Sequence, residues 1–493
     1  MLGDNPGVGQ SISRGPEPFP VPSRHSALPG RSDSVRIPSS TDQPTMDSAE
    51  DTLPVSRRDP GIWPREIGAG LATFAAMAYI LAVNPAILSD GTGMDEAAQV
   101  TATALATAIG TLLMALVARL PVALAPGVGL NAFFAYEICG RLGMPWQGAL
   151  GMVFWNGLFF LALSLTPLRV SVVRAIPETL KVAIQVGIGL LVAFVGLQKA
   201  GIVVGSPATL VALGDLSDGF RPNAATLALG GLALMAALLV RRVPGAILLA
   251  IMAVAFAGLF VPAESGGTIT AVPGSIVAAP ASLGPLFLQA DLLYPFRHWE
   301  VAWLPVVALV FVDLFDSIGT LVGVSRRAGL VDASGHLPEM GRALAADAAA
   351  TGVGALLGTS PVTAYVESAA GIEAGGRTWR TGVTVSACFL LAMFLHPVVL
   401  ALPPAATAPA LILVGATMLG GLKGFDWSDL AASVPAVATM LLIPLGFGIA
   451  DGIAVGCILH VVLLAGTGRS GELHPVLVGL AVLFVLKFTL VRG

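Results

Sequence analysis

The sequence predicts an all-α integral membrane protein with about fourteen transmembrane segments. Of its 493 residues, 55% are hydrophobic and 11% are charged, and the mean hydropathy is +0.84. A soluble protein carries about 25% charged residues, so the composition excludes a soluble fold. The apolar runs are long, do not alternate and are rich in Leu, Ala, Val and Gly. This pattern is typical of membrane helices and not of barrel strands.

The first 60 residues differ from the rest of the chain. They are rich in Pro, Ser, Gly and Arg and have no apolar period, so residues 1–60 are predicted to form a disordered cytoplasmic tail. No apolar core follows the first residues, which argues against a signal peptide. Met46 is a candidate start of translation.

The predicted membrane domain covers residues 61–466 and contains two sets of seven apolar segments. The first set lies near residues 66–88, 98–118, 121–138, 147–166, 176–198, 223–240 and 244–262. The second set lies near residues 302–323, 343–358, 360–374, 379–400, 404–421, 430–447 and 449–466. Residues 467–493 are a C-terminal tail, whose short apolar stretch Val476–Val491 either crosses the membrane or lies in its interface.

The distribution of Arg and Lys predicts the orientation. With a cytoplasmic N-terminus, sixteen basic residues fall at the cytoplasmic ends of the segments and four on the opposite side. This asymmetry obeys the positive-inside rule. An even number of segments then returns the C-terminus to the cytoplasm. We expect a multi-pass protein of the cell membrane.

The two halves show traces of an internal repeat. LPVALAPG (Leu120–Gly127) is similar to SPVTAYVE (Ser360–Glu367), and the run that starts at Trp146 is similar to the run that starts at Trp379. The matches occur in the same order, although any two helices rich in Ala, Leu and Gly look alike. An odd number of segments in each half predicts an inverted 7+7 repeat, as in many secondary transporters.

The third segment of each half is interrupted by Pro and Gly. These segments are Pro121–Tyr136 and Ser360–Thr378. Pro126 and the glycines beside it disfavour a continuous helix. We expect a short extended piece followed by a half-helix in each segment, corresponding to spans 3 and 10. Interrupted spans in corresponding positions indicate a transporter's binding site.

Three acidic residues within apolar segments are candidate site residues. Asp313 and Asp316 are three residues apart, so they share one face of a helix. Glu367 lies in the second interrupted segment. A charged residue at the bilayer centre costs about 2.5–3.5 kcal/mol on insertion scales, so such acids favour a functional interpretation. The alternatives are polar groups bonded inside a bundle, carboxylates near the interface, and a helix-capping role for Glu367.

Other polar residues accompany the acids in the interrupted segments: Asn131, Thr363, Tyr365 and Ser368. Asn131 is either part of a binding site or a structural amide bonded to the interrupted backbone. Crowded, dehydrated carboxylates with no fixed cation can hold a proton near neutral pH, which proton coupling requires. Carboxylates also accept from planar N–H groups, so the set fits a heterocycle such as a nucleobase. Anion sites instead recruit Arg or Lys.

Other function classes find little support. The three cysteines show no metal spacing, and we expect no cofactor, metal or nucleic-acid partner. A membrane enzyme built on the aspartate pair is a weak alternative, because no HExxH or nucleophile-elbow motif is present. A passive channel is a further alternative.

The longest motifs resemble the AzgA-like purine permeases of the nucleobase–ascorbate transporter superfamily. The resemblance is carried by FVDLFDSIGTLVGV (Phe311–Val324), GTSPVTAYVESAAGIEAGGRTWRTG (Gly358–Gly382) and NPAILSDGTGMD (Asn84–Asp95). It covers roughly Arg65 to the C-terminus. It implies proton symport of purine bases, typically hypoxanthine, guanine and adenine.

The resemblance also implies a division into two domains. The core would hold spans 1–4 and 8–11, about residues 66–166 and 302–400. The gate would hold spans 5–7 and 12–14, about residues 176–262 and 404–466. A homodimer through the gate is expected by analogy with the superfamily.

At the level of residues, the resemblance implies substrate contacts by Glu367, Asp316 and Asn131, to which Ser368 and Thr363 are added as neighbours. Asp313, Asp316 and Glu367 are the candidates for proton coupling, with Asp313 as helper of Asp316. Uracil transporters of the superfamily carry a histidine at the place of Thr320. Its absence here favours purines, and the same fold carrying xanthine, uracil or another small anion is the alternative.

Overall fold

The computed structural model describes five stretches of the chain: residues 62–166, 175–216, 222–263, 266–332 and 337–490. The predicted tail, residues 1–60, lies outside them. The described part is mostly helical, which confirms the predicted helical class.

The first half of the described chain contains eight helices and three short strands. The helices are α1 (Ile62–Met77), α2 (Ile80–Thr92), α3 (Glu96–Leu113), α4 (Val128–Ala132), α5 (Trp146–Leu165), α6 (Glu178–Lys199), α7 (Ala224–Val240) and α8 (Ala246–Gly258). The strands are β1 (Leu124–Pro126), β2 (Val203–Ser206) and β3 (Leu210–Leu213). Two π-helical stretches, Met114–Ala118 and Phe133–Arg141, continue α3 and α4. Asp95 caps α3 by accepting the N–H of Ala98 at 2.7 Å.

The second half contains ten helices and one strand. The helices are α9 (Tyr294–Arg297), α10 (Trp299–Ala328), α11 (Met340–Leu357), α12 (Ser368–Glu373), α13 (Trp379–Ala392), α14 (His396–Leu400), α15 (Pro404–Met418), α16 (Leu430–Gly446), α17 (Ile449–Gly466) and α18 (Pro475–Leu490), and the strand is β4 (Val362–Ala364). Gly329 and Gly358 end α10 and α11 in the left-handed conformation, with φ of 67° and 91°.

Eight helical stretches of the described chain are long and apolar enough to cross a membrane. They are Trp63–Thr92, Glu96–Ala118, Trp146–Leu165, Glu178–Lys199, Trp299–Ala328, Trp379–Leu400, Pro404–Leu422 and Ile449–Gly466. Shorter apolar helices include α7, α8 and α16, and the C-terminal apolar stretch forms α18. The count of fourteen spans, the 7+7 order and the core and gate division stay predictions.

The first and the eighth predicted spans differ from the observed helices. The first predicted span, residues 66–88, is interrupted at Ala78 and Tyr79 between α1 and α2. The eighth, predicted near residues 302–323, is a helix of 30 residues that runs through Arg326 and Arg327. Hydropathy marks where a segment is apolar, whereas a helix continues into charged residues if its backbone bonds are made.

The two interrupted segments meet through their extended pieces. Strands β1 and β4 pair antiparallel, with Ala125 opposite Thr363. Beyond the strands, Gly127 donates its N–H to the carbonyl of Pro361 at 3.0 Å. These bonds satisfy backbone groups that lipid could not satisfy. Each strand leads into a short helix, α4 or α12, as the sequence predicts.

Helices α5 and α11 pack with their backbones in near contact. An ideal Cβ placed on Gly157 would lie 2.7 Å from the backbone nitrogen of Gly352 and 2.9 Å from the carbonyl oxygen of Ala348. Only glycine permits this approach without a shift of one helix. The neighbouring residue, Asn156, is thereby held in the interior, where it meets Asp313 of α10.

Candidate functional site

A cavity of about 570 Å³ lies between the interrupted segments, α10, α6 and α15. Its volume is within the range of small-molecule sites. The lining is largely apolar. Polar side chains in the lining include those of Tyr79, Gln185, Asp316, Thr363, Tyr365 and Glu367. The cavity therefore joins helices of the predicted core to two helices of the predicted gate.

Glu367 precedes α12 at the cavity wall. Tyr79, at the interruption between α1 and α2, donates its phenol O–H to Glu367 Oε1 at 2.7 Å. Tyr79 is 2% exposed and Glu367 is half-buried, so the bond is partly shielded from water. The Glu367 side chain makes no cap hydrogen bond to α12. Glu367 therefore occupies the N-cap position of α12, with its carboxylate bonded to Tyr79 and not to the helix backbone.

Asp316 borders the same cavity from α10. Among the described residues, none donates a hydrogen bond to its carboxylate, and its charge interacts with that of Glu367. Two acidic side chains thus face one space, and one of them lacks a protein donor. A ligand that brings N–H groups would supply the missing donors.

A lysine also borders the cavity, which the sequence did not indicate. Lys181 Nζ lies 3.1 Å from Glu178 Oε2 and 5.5 Å from the ring centroid of Phe315. Its charge is therefore paired with a carboxylate of the same helix, α6, and lies beside an aromatic face. No ion pair joins it to Asp316 or Glu367 in the described chain.

Asp313 does not border the cavity, although it lies one turn before Asp316. It is fully buried, and its Oδ2 accepts from Asn156 Nδ2 at 2.9 Å and from Thr351 Oγ1 at 3.3 Å. Asp313 and Asp316, which were expected to share one face of α10, therefore face different surroundings. Asp316 faces the cavity and Asp313 faces α5 and α11, because residues three apart on a helix differ by about 60° around its axis.

Asn131 and Ser368 lie behind the cavity wall. Asn131 is fully buried, and its Oδ1 accepts a hydrogen bond from Ser360. Ser368 Oγ accepts the N–H of Ala123 at 3.0 Å and so ties the two interrupted segments together. Thr363 does border the cavity. Of the predicted site residues, Glu367, Asp316 and Thr363 are brought together at the cavity, whereas Asp313, Asn131 and Ser368 support it.

Sequence reasoning missed Tyr79 and a further acid, Asp347. Asp347 lies within α11, is fully buried, and accepts a hydrogen bond from Ser317. Its signal was present, because it is an isolated acid in an apolar segment, as Asp313 and Asp316 are. Tyr79 carried no comparable signal, since an aromatic residue in an apolar run is ordinarily a core or lipid-facing residue.

Comparison with known proteins shows to which family the chain belongs. The model of a permease family, that of the nucleobase–ascorbate transporters, matches residues 64–455. The chain belongs to this family. The expected resemblance is confirmed, and the protein is a transporter and not an enzyme.

Two curated relatives are similar over nearly their whole length. The guanine/hypoxanthine permease PbuG of Bacillus subtilis is 41% identical over 435 residues, which cover 87% of this chain and 96% of the relative. The adenine permease AdeP of Escherichia coli is 40% identical over 426 residues, which cover 86% of this chain and 93% of the relative.

The fold is shared with solved transporters. The transmembrane domain of a cyanobacterium bicarbonate transporter, BicA, has a TM-score of 0.59 and 16% identity, with 79% of this chain and 96% of that chain covered. At this identity the likeness concerns the fold alone.

Proposed function

We propose that this transporter takes up purine nucleobases such as hypoxanthine, guanine and adenine, coupled to the entry of protons. The observation that carries the proposal is the pair Asp316 and Glu367, which face one cavity without an ion-pair partner among the described residues. The names of the similar permeases support the substrate class. Membership of the family supports nucleobase transport, and the proposal goes further in the purine preference and the proton coupling.

The proposed recognition follows from the donors and acceptors of a purine. A purine edge presents N–H groups, which the carboxylates of Asp316 and Glu367 accept. Its ring nitrogens accept from hydroxyls such as that of Thr363. The flat ring lies against aromatic lining such as Phe315, and offset stacking adds about 0.5–1.5 kcal/mol. Asn131, Ser368 and Asp313 hold the wall in place from behind.

The proposed transport step moves the predicted core against the predicted gate. Outside the cavity lining, the carboxylate of Glu137 accepts N–H groups of Ile449 and Ala450 at the start of α17. Arg141 joins the same cluster, with Nη2 3.1 Å from Glu137 Oε1 and 2.8 Å from Asp451 Oδ2. These contacts connect span 3 of the core to span 14 of the gate, so they must open if the two domains rock.

The proposed membrane topology is the one that the sequence predicts. Fourteen spans in a 7+7 inverted repeat would lie in the cell membrane with both termini in the cytoplasm. A homodimer through the gate domain would follow the superfamily. The coupled proton would bind a buried acid at or near the cavity, for which the sequence offers Asp313, Asp316 and Glu367, and no cofactor besides the proton is expected.

A second candidate keeps the fold and changes the cargo to xanthine, uracil or another small anion. The bicarbonate transporter with the same fold makes an anion worth testing. The charges at the cavity argue against an anionic cargo, because Asp316 and Glu367 would repel it. Lys181, the basic side chain among the described residues that line the cavity, is already paired with Glu178.

An uptake assay with competitors separates these candidates. The purified protein is placed in liposomes, and uptake of radiolabelled hypoxanthine is measured against an excess of adenine, guanine, xanthine, uracil or bicarbonate. We expect strong competition by the first two and little by bicarbonate. Indifference to adenine and guanine would overturn the purine proposal, and uptake insensitive to a protonophore would overturn proton coupling.

A further inference from the structure

A row of hydrogen bonds leads from the cavity to a buried carboxyl group on α11. Thr363 borders the cavity, and its Oγ1 lies 2.9 Å from Ser317 Oγ. Ser317 in turn donates a hydrogen bond to Asp347 Oδ2. Asp347, Ser317 and Thr363 are each at most 1% exposed. The row therefore connects Asp347 to the cavity without passing through bulk water.

The direction of this row depends on whether Asp347 carries a proton. An ionised carboxylate only accepts, and each hydroxyl has one proton to donate. Ser317 therefore donates to Asp347, and Thr363 must donate to Ser317, so that Thr363 offers only lone pairs to the cavity. Once Asp347 is protonated, its O–H can donate to Ser317 and the row can reverse. Thr363 is then free to donate into the cavity.

We propose that Asp347 holds the coupled proton and that Thr363 transmits its protonation state to the bound purine. The inference rests on the proposed proton-coupled purine transport. A purine ring nitrogen is a hydrogen-bond acceptor, so it binds better beside a Thr363 hydroxyl that can donate. Proton binding at Asp347 and purine binding in the cavity then favour each other, and this favourable coupling is reciprocal.

The hydrogen bonds of Asp313 explain why its protonation state is not transmitted to the cavity. The amide nitrogen of Asn156 can only donate, so its bond to Asp313 cannot reverse. Thr351 has one proton, and its oxygen lies 2.8 Å from the carbonyl of Val362 but 3.3 Å from Asp313. Neither partner borders the cavity. A proton on Asp313 would therefore not change the hydrogen bonds offered to the substrate.

The surroundings of Asp347 also suit a site that alternates between two protonation states. The charged groups that face it are Asp313 and Asp316 of α10. The other elements packed against α11 are α3, α5, β1, β4 and the π-helical stretch after α3. They contain a single charged residue, Glu96, which is exposed in the first turn of α3. No described cation fixes the charge of Asp347, so a proton can neutralise it.

Concentrative uptake provides the first test. Liposomes that hold the protein receive an inside-negative potential of about 100 mV, which for one charge is worth about 2.3 kcal/mol or a roughly 50-fold concentration ratio. We expect the wild type to accumulate radiolabelled hypoxanthine and Asp347→Asn to stop at a ratio of about one, because no proton is carried with the purine. Exchange of internal for external hypoxanthine is expected to persist in Asp347→Asn.

Proton uptake on binding provides a second test, which does not require Asp347→Asn to fold. Ser317→Ala and Thr363→Val break the row but keep the carboxyl group. Calorimetric titration with hypoxanthine in two buffers of different ionisation enthalpy gives the number of protons taken up. We expect about one for the wild type and clearly fewer for both variants, by linkage. A full proton in Ser317→Ala would overturn the inference.

A buried carboxylate outside the row supplies the control. Glu66 is 3% exposed and accepts N–H groups of Arg377 and Thr378 at 3.2 and 3.3 Å. Glu66→Gln is expected to keep concentrative uptake. If Asp347→Asn accumulates hypoxanthine as the wild type does, Asp347 is not the proton site while the proposed function stands. If the wild type does not transport hypoxanthine, the proposed function falls and this inference falls with it.

Discussion

Tyr79 and Glu367 are 288 residues apart in the sequence and are joined by a hydrogen bond of 2.7 Å at the cavity wall. The phenol donates to one oxygen of the carboxylate, which limits how the acid can turn. Both residues lie at helix interruptions, one between α1 and α2 and one before α12. The orientation of Glu367, the main candidate for contact with the substrate, is therefore set by a segment from the opposite half of the chain.

Removing this donor is expected to weaken purine binding. Tyr79→Phe keeps the ring and loses a charge-assisted hydrogen bond worth about 1.5–3 kcal/mol, so we expect a roughly tenfold or greater rise in the KM of hypoxanthine uptake. Tyr136→Phe is the matched control, because Tyr136 bonds Asp90 at 3.2 Å outside this cavity. Equal KM values for wild type and Tyr79→Phe would contradict a role for the bond.

Removing either cavity carboxylate is expected to abolish most uptake. Glu367→Gln and Asp316→Asn keep the shape but remove the charge and an acceptor for purine N–H groups. Initial uptake rates, normalised to protein in the membrane, check this expectation. Glu339→Gln, which removes an exposed carboxylate bonded to Arg342 at 3.0 Å, is expected to transport normally. Wild-type uptake by both cavity variants would refute the site assignment.

Asp313→Asn is expected to change pH dependence more than affinity. The new amide oxygen can still accept from Asn156, so the packing of α5 against α10 is kept. The negative charge beside Asp347 is lost, and protonation of Asp347 then no longer relieves that repulsion. The measurement is the uptake rate of hypoxanthine as a function of pH, with KM determined at each pH. A profile that superimposes on the wild type would show that Asp313 is only structural.

Gly157→Ala is expected to destabilise the fold. The added Cβ would lie 2.7 Å from the nitrogen of Gly352, so α5 and α11 must separate, at a cost of about 1–3 kcal/mol. Thermal unfolding of the purified protein in detergent measures the loss as a lower Tm. Gly230→Ala, where nothing lies within 4 Å of the added atom, is the control and should not lower the Tm. An unchanged Tm for Gly157→Ala would mean that the helices can move apart freely.

The two interrupted segments show how far sequence patterns can lead. Pro126 and Gly127 disfavour a helix at that place whatever surrounds them, so an extended piece was predictable. The pairing of Ala125 with Thr363 joins residues far apart in the chain, and no local pattern encodes that distance. The acids Asp313 and Asp316 were found because charge in an apolar segment is conspicuous. Their division between cavity and interior depends on which helices pack around α10.

The sequence by itself determined that the chain is a helical membrane protein, where its two interrupted segments lie and that Asp313, Asp316 and Glu367 lie within apolar segments. These features depend on hydropathy, backbone restrictions and charge, which are properties of single residues and short runs. The tertiary structure decided that Glu367 is held by Tyr79, that Asn131 and Ser368 lie behind the wall, and that Asp347 is connected to the cavity through Ser317. Hydrogen bonds between distant segments depend on packing, and packing is not a property of any one segment.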